Sequence, residues 1–330
     1  MMLKGKSFLI TGGTGSFGHT LVNKLLGTDI REVVVFSRDE AKQHFMRQEI
    51  SDPRLRFILG DIRNYESVLR ALYGVDYIFH AAALKQVPAS EAFPWEFVQT
   101  NVKGSHNLLR AITNSNVTNS VFLSTDKAVY PLNVMGMTKA LMEKLVRSDD
   151  YSSGSTSVIT RYGNVIGSRG SVIPQFIESI KNHSYVTITD PIMTRFMMSL
   201  DESVDLVLFA LANGSDGDLF VQKSPAATVE TIVGALSLLL KQAQVEMKII
   251  GVRPGEKIHE TLLTAEERSL AIEHEKYFQV KKRTHHNDLL AFEGQSEQLE
   301  YTSANTEILS VEQLSELLMK IPMVASAIRQ

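Results

Sequence analysis

Residues 124–139 read STDKAVYPLNVMGMTK. Asp126 and Lys127 stand side by side just after the apolar run SVFLST (120–125). A carboxyl and an amine at the C-terminal end of a strand are placed to exchange protons with a bound ligand. For Asp126 to act as an acid it must hold a proton, and burial raises its pKa in that direction. Thr125 adds a hydroxyl at the same place, and Lys139 adds a second amine on the following helix-like segment GMTKALMEKLVRSD (136–149). A salt-bridged loop pair explains the two charges of Asp126 and Lys127, but not their position at a strand end.

A second set of residues suits a dinucleotide. TGGTGSFG (11–18) follows the apolar run SFLIT (7–11) and precedes the helical spacing of HTLVNKLLG (19–27). That strand–turn–helix context is what a phosphate-binding glycine loop requires. Gly12 permits the tight turn, Gly15 lets the backbone approach a pyrophosphate, and Gly18 allows close packing of helix on sheet. Thr14, Ser16 and Phe17 complete the loop, and the helix N-terminus faces the phosphates. An acidic residue about 20 residues beyond the glycines would hold the ribose of NAD. Arg38 stands there instead, after Ser37, and a guanidinium fits a 2′-phosphate, so the expected cofactor is NADP. Asp39 next door is able to take the NAD role. GDIR (60–63) puts Asp61 and Ile62 where they flank an adenine. AAALK (81–85) offers the small residues Ala81, Ala82 and Ala83 for a backbone lying against the cofactor, with Lys85 near cofactor and second ligand together.

The elements that must carry these residues are legible as alternating runs. EVVVFS (32–37), LRFILGD (55–61) and VDYIFHAAA (75–83) read as further strands, ESVLRALYG (66–74) as an amphipathic helix, and FVQTNVKGSHNLLRAITNSN (97–116) as one long helix. The strand TSVITRYGNV (156–165) extends the set. Strands alternating with helices predict an α/β fold, a doubly wound parallel sheet of Rossmann type. After Val165 the texture becomes irregular. The expected division is a first domain of residues 1–165 plus about 196–221, and a smaller mixed α/β C-terminal domain of 166–195 plus about 222–330. Residues 281–300 read as a mobile polar surface segment, and His285 and His286 within it as solvated rather than as ligands.

Composition bounds the function. The 330 residues carry a net charge of −3 with both signs interspersed, which suggests neither nucleic acid nor a membrane surface as partner. With no cysteine, disulfides, thiolate metal sites and a cysteine nucleophile are excluded. No metal-ligand cluster is evident. There is no signal-peptide core and no run of about 18 apolar residues, so the expected location is the cytoplasm.

TGGTGSFG, GDIR, HAAALKQVP (80–88), STDKAVYP (124–131), Lys139 and RYGNV (161–165) together resemble the extended short-chain dehydrogenase/reductases. SRGSVIP (168–174), TITDPIMTRFMMS (187–199), VQKSPA (221–226) and RPGEK (253–257) carry the resemblance nearly to the end of the chain, toward the bacterial UDP-N-acetylglucosamine 4,6-dehydratases. That family usually has a tyrosine four residues before the lysine. Here the position is Met135, which neither takes nor gives a proton, as in the 5-inverting dehydratase/epimerase branch of capsule and O-antigen synthesis.

The resemblance implies oxidation at C4 of a UDP-sugar, elimination of water across C5–C6 and hydride return to C6, with the NADP regenerated in each turnover. Asp126 would then protonate O6. Lys127 would remove the C5 proton, its pKa lowered by burial and by the cationic nicotinamide. Thr125 would orient O4, and Lys139 would hold the nicotinamide ribose. Met135 would fill the tyrosine's space, leaving Lys127 or a lysine-bound water to take the O4 proton. Tyr130 could reach the site from the loop. Asn164, Arg195 and Arg253 would meet the diphosphate, and Glu256 the uridine ribose. The family forms dimers and larger rings, so a homo-oligomer, dimer or hexamer, is expected. Two other readings stay open: a UDP-hexose 4-epimerase, which needs no acid for O6, and a catalytically silent NADP-binding scaffold.

Overall fold

Apolar runs through the first half of the chain become parallel strands, buried except for β3 at the sheet edge: β1 Ser7–Thr11, β2 Glu32–Ser37, β3 Leu55–Leu59, β4 Tyr77–His80, β5 Asn119–Leu123 and β6 Thr156–Arg161. The computed structural model describes residues 3–151, 154–168, 170–183, 185–242, 245–282 and 299–329. The segment expected to be mobile lies mostly outside the described residues, and His285 and His286 lie wholly outside them. Further strands follow: β7 Asn164–Val165, β8 Tyr185–Ile188, β9 Thr194–Met198, β10 Leu219–Gln222, β11 Ala226–Thr228 and β12 Glu246–Ile249. The last four are β13 Thr261–Leu263, β14 Ile272–Glu273, β15 Tyr277–Val280 and β16 Tyr301–Thr302.

The large sheet has the order β14-β15-β10-β6-β5-β4-β1-β2-β3. From β3 to β10 the pairs are parallel, and β15 joins β10 antiparallel. This is a Rossmann-type α/β fold. Strand order reverses between β1 and β4, and ligands bind outside the C-terminal strand ends at such a switch point. Side chains alternate strictly between two buried faces. Phe8, Ile10, Val33, Val35 and Phe79 pack toward one face, with helices Ser16–Leu26 and Leu200–Asn213. Leu9, Val34, Phe36, Ile78 and Phe122 pack toward the other, with helices Tyr65–Ala71, Gly104–Thr113 and Val134–Val146. A third cluster, with Ile177, Val186, Leu236 and Leu314, forms the core of a smaller unit.

Several expected boundaries differ. β14 and β15 fall in the stretch assigned to the smaller domain, yet both pair onto the edge of the large sheet. The four-residue run YFQV is too short between polar flanks to announce a strand. β9, at the start of the expected return, belongs to a separate sheet of order β11-β9-β7. The strand expected over 156–165 breaks at Tyr162–Gly163, because Gly163 passes against Phe196; a Cβ there would lie 2.4 Å from the Phe196 Cβ. The helix expected over 97–116 is interrupted by a π-turn, Val98–Lys103. The buried Asn101 sits in that turn, and its side chain holds Leu84 N at 2.8 Å, Leu84 O at 3.0 Å and Thr138 Oγ1 at 3.0 Å. Loose turns of this kind occur inside helices at functional sites, and here one ties the loop after β4 to the Lys139 helix.

Candidate active site

A cleft of about 670 Å³ opens at the C-terminal ends of β1, β4 and β5. Gly12, Thr14, Gly15, Ser16, Phe17 and Gly18 form one wall. Ser37, Arg38, Asp61 and Ile62 line one end. Ala81, Ala82, Ala83 and Lys85 lie below. Thr125, Lys127, Met135, Lys139 and Asn164 line the far end. All residues assigned to the dinucleotide from the sequence therefore meet in one cleft.

The wall has the form of a phosphate cradle. Gly12 has φ +69°, and a Cβ on it would lie 2.8 Å from Ala82 Cα. On Gly18 a Cβ would come within 2.4 Å of Gly13 Cα, so only glycine lets helix Ser16–Leu26 start this close to the strand. Beneath it a buried chain sets the switch point. Ser105 Oγ donates to Asn101 O at 2.7 Å, so it accepts from His80 Nε2 at 2.9 Å; His80 Nδ1 then accepts from Thr11 Oγ1 at 2.7 Å. Burial, helped by the Lys139 charge, pushes the His80 pKa down to about 3, which keeps the ring neutral.

At the β2 end Arg38 is half exposed, 3.9 Å from Asp61 Oδ2. Asp39 caps the helix Glu40–Glu49, accepting from Lys42 N at 3.0 Å, and its other oxygen pairs with Lys42 Nζ at 2.5 Å. Lys42 lines the cleft too, a residue that sequence reading passed over. The Asp61 carboxylate accepts from Arg63 Nη2 at 2.7 Å. Burial raises its pKa, but the Arg63 hydrogen bonds outweigh that and hold it below the usual range.

Asp126 and Lys127, the pair expected to do acid–base work, sit on the turn Asp126–Ala128 that follows β5. Asp126 is fully buried. Its Oδ1 accepts from Thr125 Oγ1 at 2.8 Å and from Lys127 Nζ at 3.1 Å, while Oδ2 is buried without a partner. Burial raises the Asp126 pKa, the Lys127 charge opposes this, and a second carboxylate adds to it. That second carboxylate is Glu260, with Oε1 3.3 Å from Lys127 Nζ. Glu260 is also buried, its Oε2 has no partner, and Arg195 Nε lies 4.0 Å from its Oε1. Burial raises the Glu260 pKa, but Lys127, Arg195 and Lys257 outweigh it, so Glu260 stays ionised.

This corrects the expectation for Lys127. Burial does push its pKa down, but Asp126 and Glu260 together push harder, and the net direction is up. Lys127 is an ammonium at rest, not a free base. Glu260 and Lys257 had a weak signal in the sequence: RPGEKIHETLL (253–263) places both beside an apolar run that forms β13.

Lys139 behaves differently. It is buried on helix Val134–Val146, its Nζ meets Met142 Sδ at 3.1 Å, and burial pulls its pKa down to about 8. Met135 is buried beside it on the cleft wall. Of the residues expected at the substrate, Asn164 lines the cleft, with Oδ1 buried and unpartnered. Arg195 is placed beside Glu260, and its Nη1 donates to Thr194 O at 2.8 Å and Ile258 O at 3.2 Å. Arg253 is exposed and faces Glu256 Oε1 at 3.8 Å, so these two are turned to each other. Glu256 Oε2 is buried without a partner. Tyr130 does not line the cleft; its backbone is left-handed (φ 45°), its ring half exposed, and its phenol bonds Glu300.

A family model described as polysaccharide biosynthesis protein matches residues 8–282. The chain belongs to this polysaccharide biosynthesis family. A second model, described as polysaccharide biosynthesis protein C-terminal, matches residues 293–325. The UDP-glucose 4-epimerase of Rickettsia rickettsii (strain Sheila Smith) is 46% identical over 340 residues, 99% of either chain. Pen from Bacillus thuringiensis is 34% identical with a TM-score of 0.88, over 97% of this chain and 99% of its own. DesIV, a dTDP-glucose 4,6-dehydratase from Streptomyces venezuelae solved with NAD and TYD bound, is 26% identical with a TM-score of 0.70, over 76% of this chain and 86% of its own. The family's neighbours are thus nucleotide-sugar epimerases and dehydratases. Among the described residues no helix is long and apolar enough to cross a membrane, and no group of His, Asp and Glu is placed to hold a metal.

Proposed function

We propose that this polysaccharide biosynthesis family member is a UDP-N-acetylglucosamine 4,6-dehydratase that inverts C5, giving a 4-keto-6-deoxy sugar nucleotide for capsule or O-antigen synthesis. The observation that carries this is the buried carboxyl of Asp126, which burial pushes toward its protonated form and which accepts a hydrogen bond from Lys127 at 3.1 Å beside a dinucleotide-shaped cleft. An elimination across C5–C6 needs an acid for O6 and a proton acceptor for C5, two groups close together. Asp126 is the acid, and Lys127 faces C5.

The glycine cradle, the three alanines and the neutral His80 beneath them fit a nicotinamide dinucleotide, which when bound would accept hydride from C4 and return it to C6. NADP is favoured because Arg38 and Lys42 are both cationic at the β2 end, while the Asp39 carboxylate is already engaged with Lys42 and a helix cap. Met135 leaves the site without a phenol. We assign removal of the O4 proton to Lys139, the cleft amine whose burial brings it nearest to neutrality, with Thr125 orienting O4. Asn164 on the cleft wall and Glu256 outside it each carry a buried oxygen ready for a ligand donor, and Arg195 supplies positive charge beside Glu260. The enzyme is expected to work in the cytoplasm as a homo-oligomer, dimer or hexamer, for which the exposed Phe93, Trp95, Met137 and Leu141 offer an apolar face.

The 4-epimerase reading is favoured by the name of the Rickettsia relative. It needs proton transfer at O4 alone and leaves Asp126 and Lys127 without a task. The test is chromatography that separates the C4 epimers, followed by mass spectrometry, of UDP-N-acetylglucosamine after incubation with enzyme and NADP. Loss of one water is the expected result; isomers of unchanged mass would favour the epimerase, and no change at all the silent scaffold.

A further inference from the structure

We propose that Glu260 is a positioning residue that acts through Lys127: its carboxylate receives the proton that Lys127 passes on from C5, while Asp126 gives its own proton to O6. The inference rests on the dehydratase reading. It answers a difficulty in that reading, since an ammonium cannot by itself accept a proton.

Lys127 Nζ lies between two carboxylates, 3.1 Å from Asp126 Oδ1 and 3.3 Å from Glu260 Oε1. Both carboxylates are buried, and each keeps one buried oxygen with no partner, Asp126 Oδ2 and Glu260 Oε2. Asp126 and Lys127 come from the turn after β5. Glu260 comes from the segment that begins β13, which packs against that turn. The other charges facing the cluster are Arg195 on β9 and Lys257, with Glu300 beyond Lys257. His259 is turned away, its Nδ1 2.8 Å from Thr194 Oγ1. Glu260 itself is clamped: its N donates to Ser303 Oγ at 2.9 Å, its O accepts from Ser303 N at 2.8 Å, and Ser303 Oγ meets Thr194 Oγ1 at 2.6 Å.

Burying unbalanced charge is costly. With Asp126 and Lys127 alone, the balanced state is an ion pair, carboxylate and ammonium, which leaves no acid. Glu260 changes the balance. It supplies a second counter-ion for Lys127, so Asp126 can hold a proton while these three side chains together stay neutral, with Arg195 and Lys257 as positive charge around them. In the elimination the C5–H bond breaks and its electron pair forms the C5=C6 bond. The C5 proton goes to Lys127 as Lys127 releases one to Glu260. The C6–O6 bond breaks with its pair on oxygen, O6 takes the Asp126 proton, and water leaves. The cluster begins as carboxylic acid, ammonium, carboxylate and ends as carboxylate, ammonium, carboxylic acid. Its net charge never changes. A return transfer from Glu260 through Lys127 to Asp126 resets it; hydride return to C6 then leaves an enolate that takes a proton from solvent at C5, which balances the proton released from O4.

The test uses the full chain, with Glu260→Gln to remove the charge and Glu260→Asp to keep it. Two readouts are needed. The first is the ¹³C titration of the Asp126 carboxyl in protein labelled at aspartate Cγ, with the signal assigned by its loss in Asp126→Asn and no substrate present. The second is kcat and KM for water loss from UDP-N-acetylglucosamine. In Glu260→Gln the Asp126 midpoint should fall by about one pH unit or more, because Lys127 is left with Asp126 as its only close anion. In the same variant kcat should fall about 10²-fold with KM little changed, the scale of losing one acid–base partner. Glu260→Asp should restore the midpoint toward wild type. A midpoint that stays put in Glu260→Gln, with or without a fall in kcat, would overturn the proposal and leave Glu260 a packing residue. A wild type that removes no water while the midpoint still falls refutes the dehydratase reading and upholds Glu260 as the group that sets the Asp126 proton.

Discussion

Met135 stands at the position from which a phenol would face Lys139, and it is 5% exposed. On the proposed mechanism its contribution is shape and exclusion of water. Met135→Leu keeps apolar volume, a change cores tolerate at under about 1.5 kcal/mol, so turnover should largely survive. Met135→Tyr should give no large gain, since the proposed mechanism puts the proton work on Lys139, Lys127 and Asp126. Parallel turnover assays of the three proteins check this. With its pKa pulled to about 8, Lys139 is mostly protonated at pH 7, and the neutral amine gains as pH rises. The rate of NADPH formation in a single turnover should therefore climb with pH through about 8, and Lys139→Met should abolish the climb. At the other end of the cleft, Arg38→Ala should weaken NADP by about 1–3 kcal/mol while leaving NAD nearly unchanged, as measured by calorimetry. Sequence showed the adjacent residues of the site well: the glycines, Arg38, Asp126 and Lys127 announce themselves by type and spacing. It showed Glu260 only weakly, because that residue is 133 residues from Lys127 along the chain and reaches it through the packing of β13 on the turn.

Elements explain why the turn is so exact in position. A Cβ on Gly136 would lie 2.1 Å from the Lys127 carbonyl oxygen, so helix Val134–Val146 and the turn Asp126–Ala128 share contact that only glycine permits. The helix is started by Asn133, whose Oδ1 accepts from Gly136 N at 2.8 Å and whose Nδ2 donates to Gly255 O at 2.9 Å. One residue thus caps the Lys139 helix and ties it to the segment that carries Lys257 and Glu260. Gly136→Ala should lower stability by about 1–3 kcal/mol through overpacking and displace Lys127, measured as a drop in both urea midpoint and kcat. The central strands were readable because buried parallel strands are unbroken apolar runs, as in EVVVFS. The breaks were not readable. The π-turn at Val98–Lys103 and the kink at Gly163 answer to Leu84, Thr138 and Phe196, none of them local in sequence.

For the whole molecule, the sheet joins both halves of the site. The buried Arg161 on β6 holds Glu143 at 2.6 Å and Glu267 at 2.7 Å, linking the Lys139 helix to the helix that follows β13. His80 adds a pH dependence. Its folded pKa is near 3 and its unfolded value near 6.5, so the unfolded chain binds the extra proton first. Stability is full above about 6.5 and declines as pH falls toward 3, by up to about 1.4 kcal/mol per unit from this group. Urea unfolding of wild type and His80→Gln between those pH values should show the shallower slope in the variant. The division into two units was only partly legible, since β14 and β15 return to the sheet from a stretch whose composition resembles its irregular neighbours.

The central claim is that Asp126 and Lys127 remove water across C5–C6. It is tested most directly by turning over UDP-N-acetylglucosamine in deuterated water and weighing the product. A dehydratase that inverts C5 gives a product lighter by one water and carrying one solvent deuterium at carbon 5, and both changes vanish in Asp126→Asn. A product of unchanged mass, with no deuterium on carbon, would contradict the account.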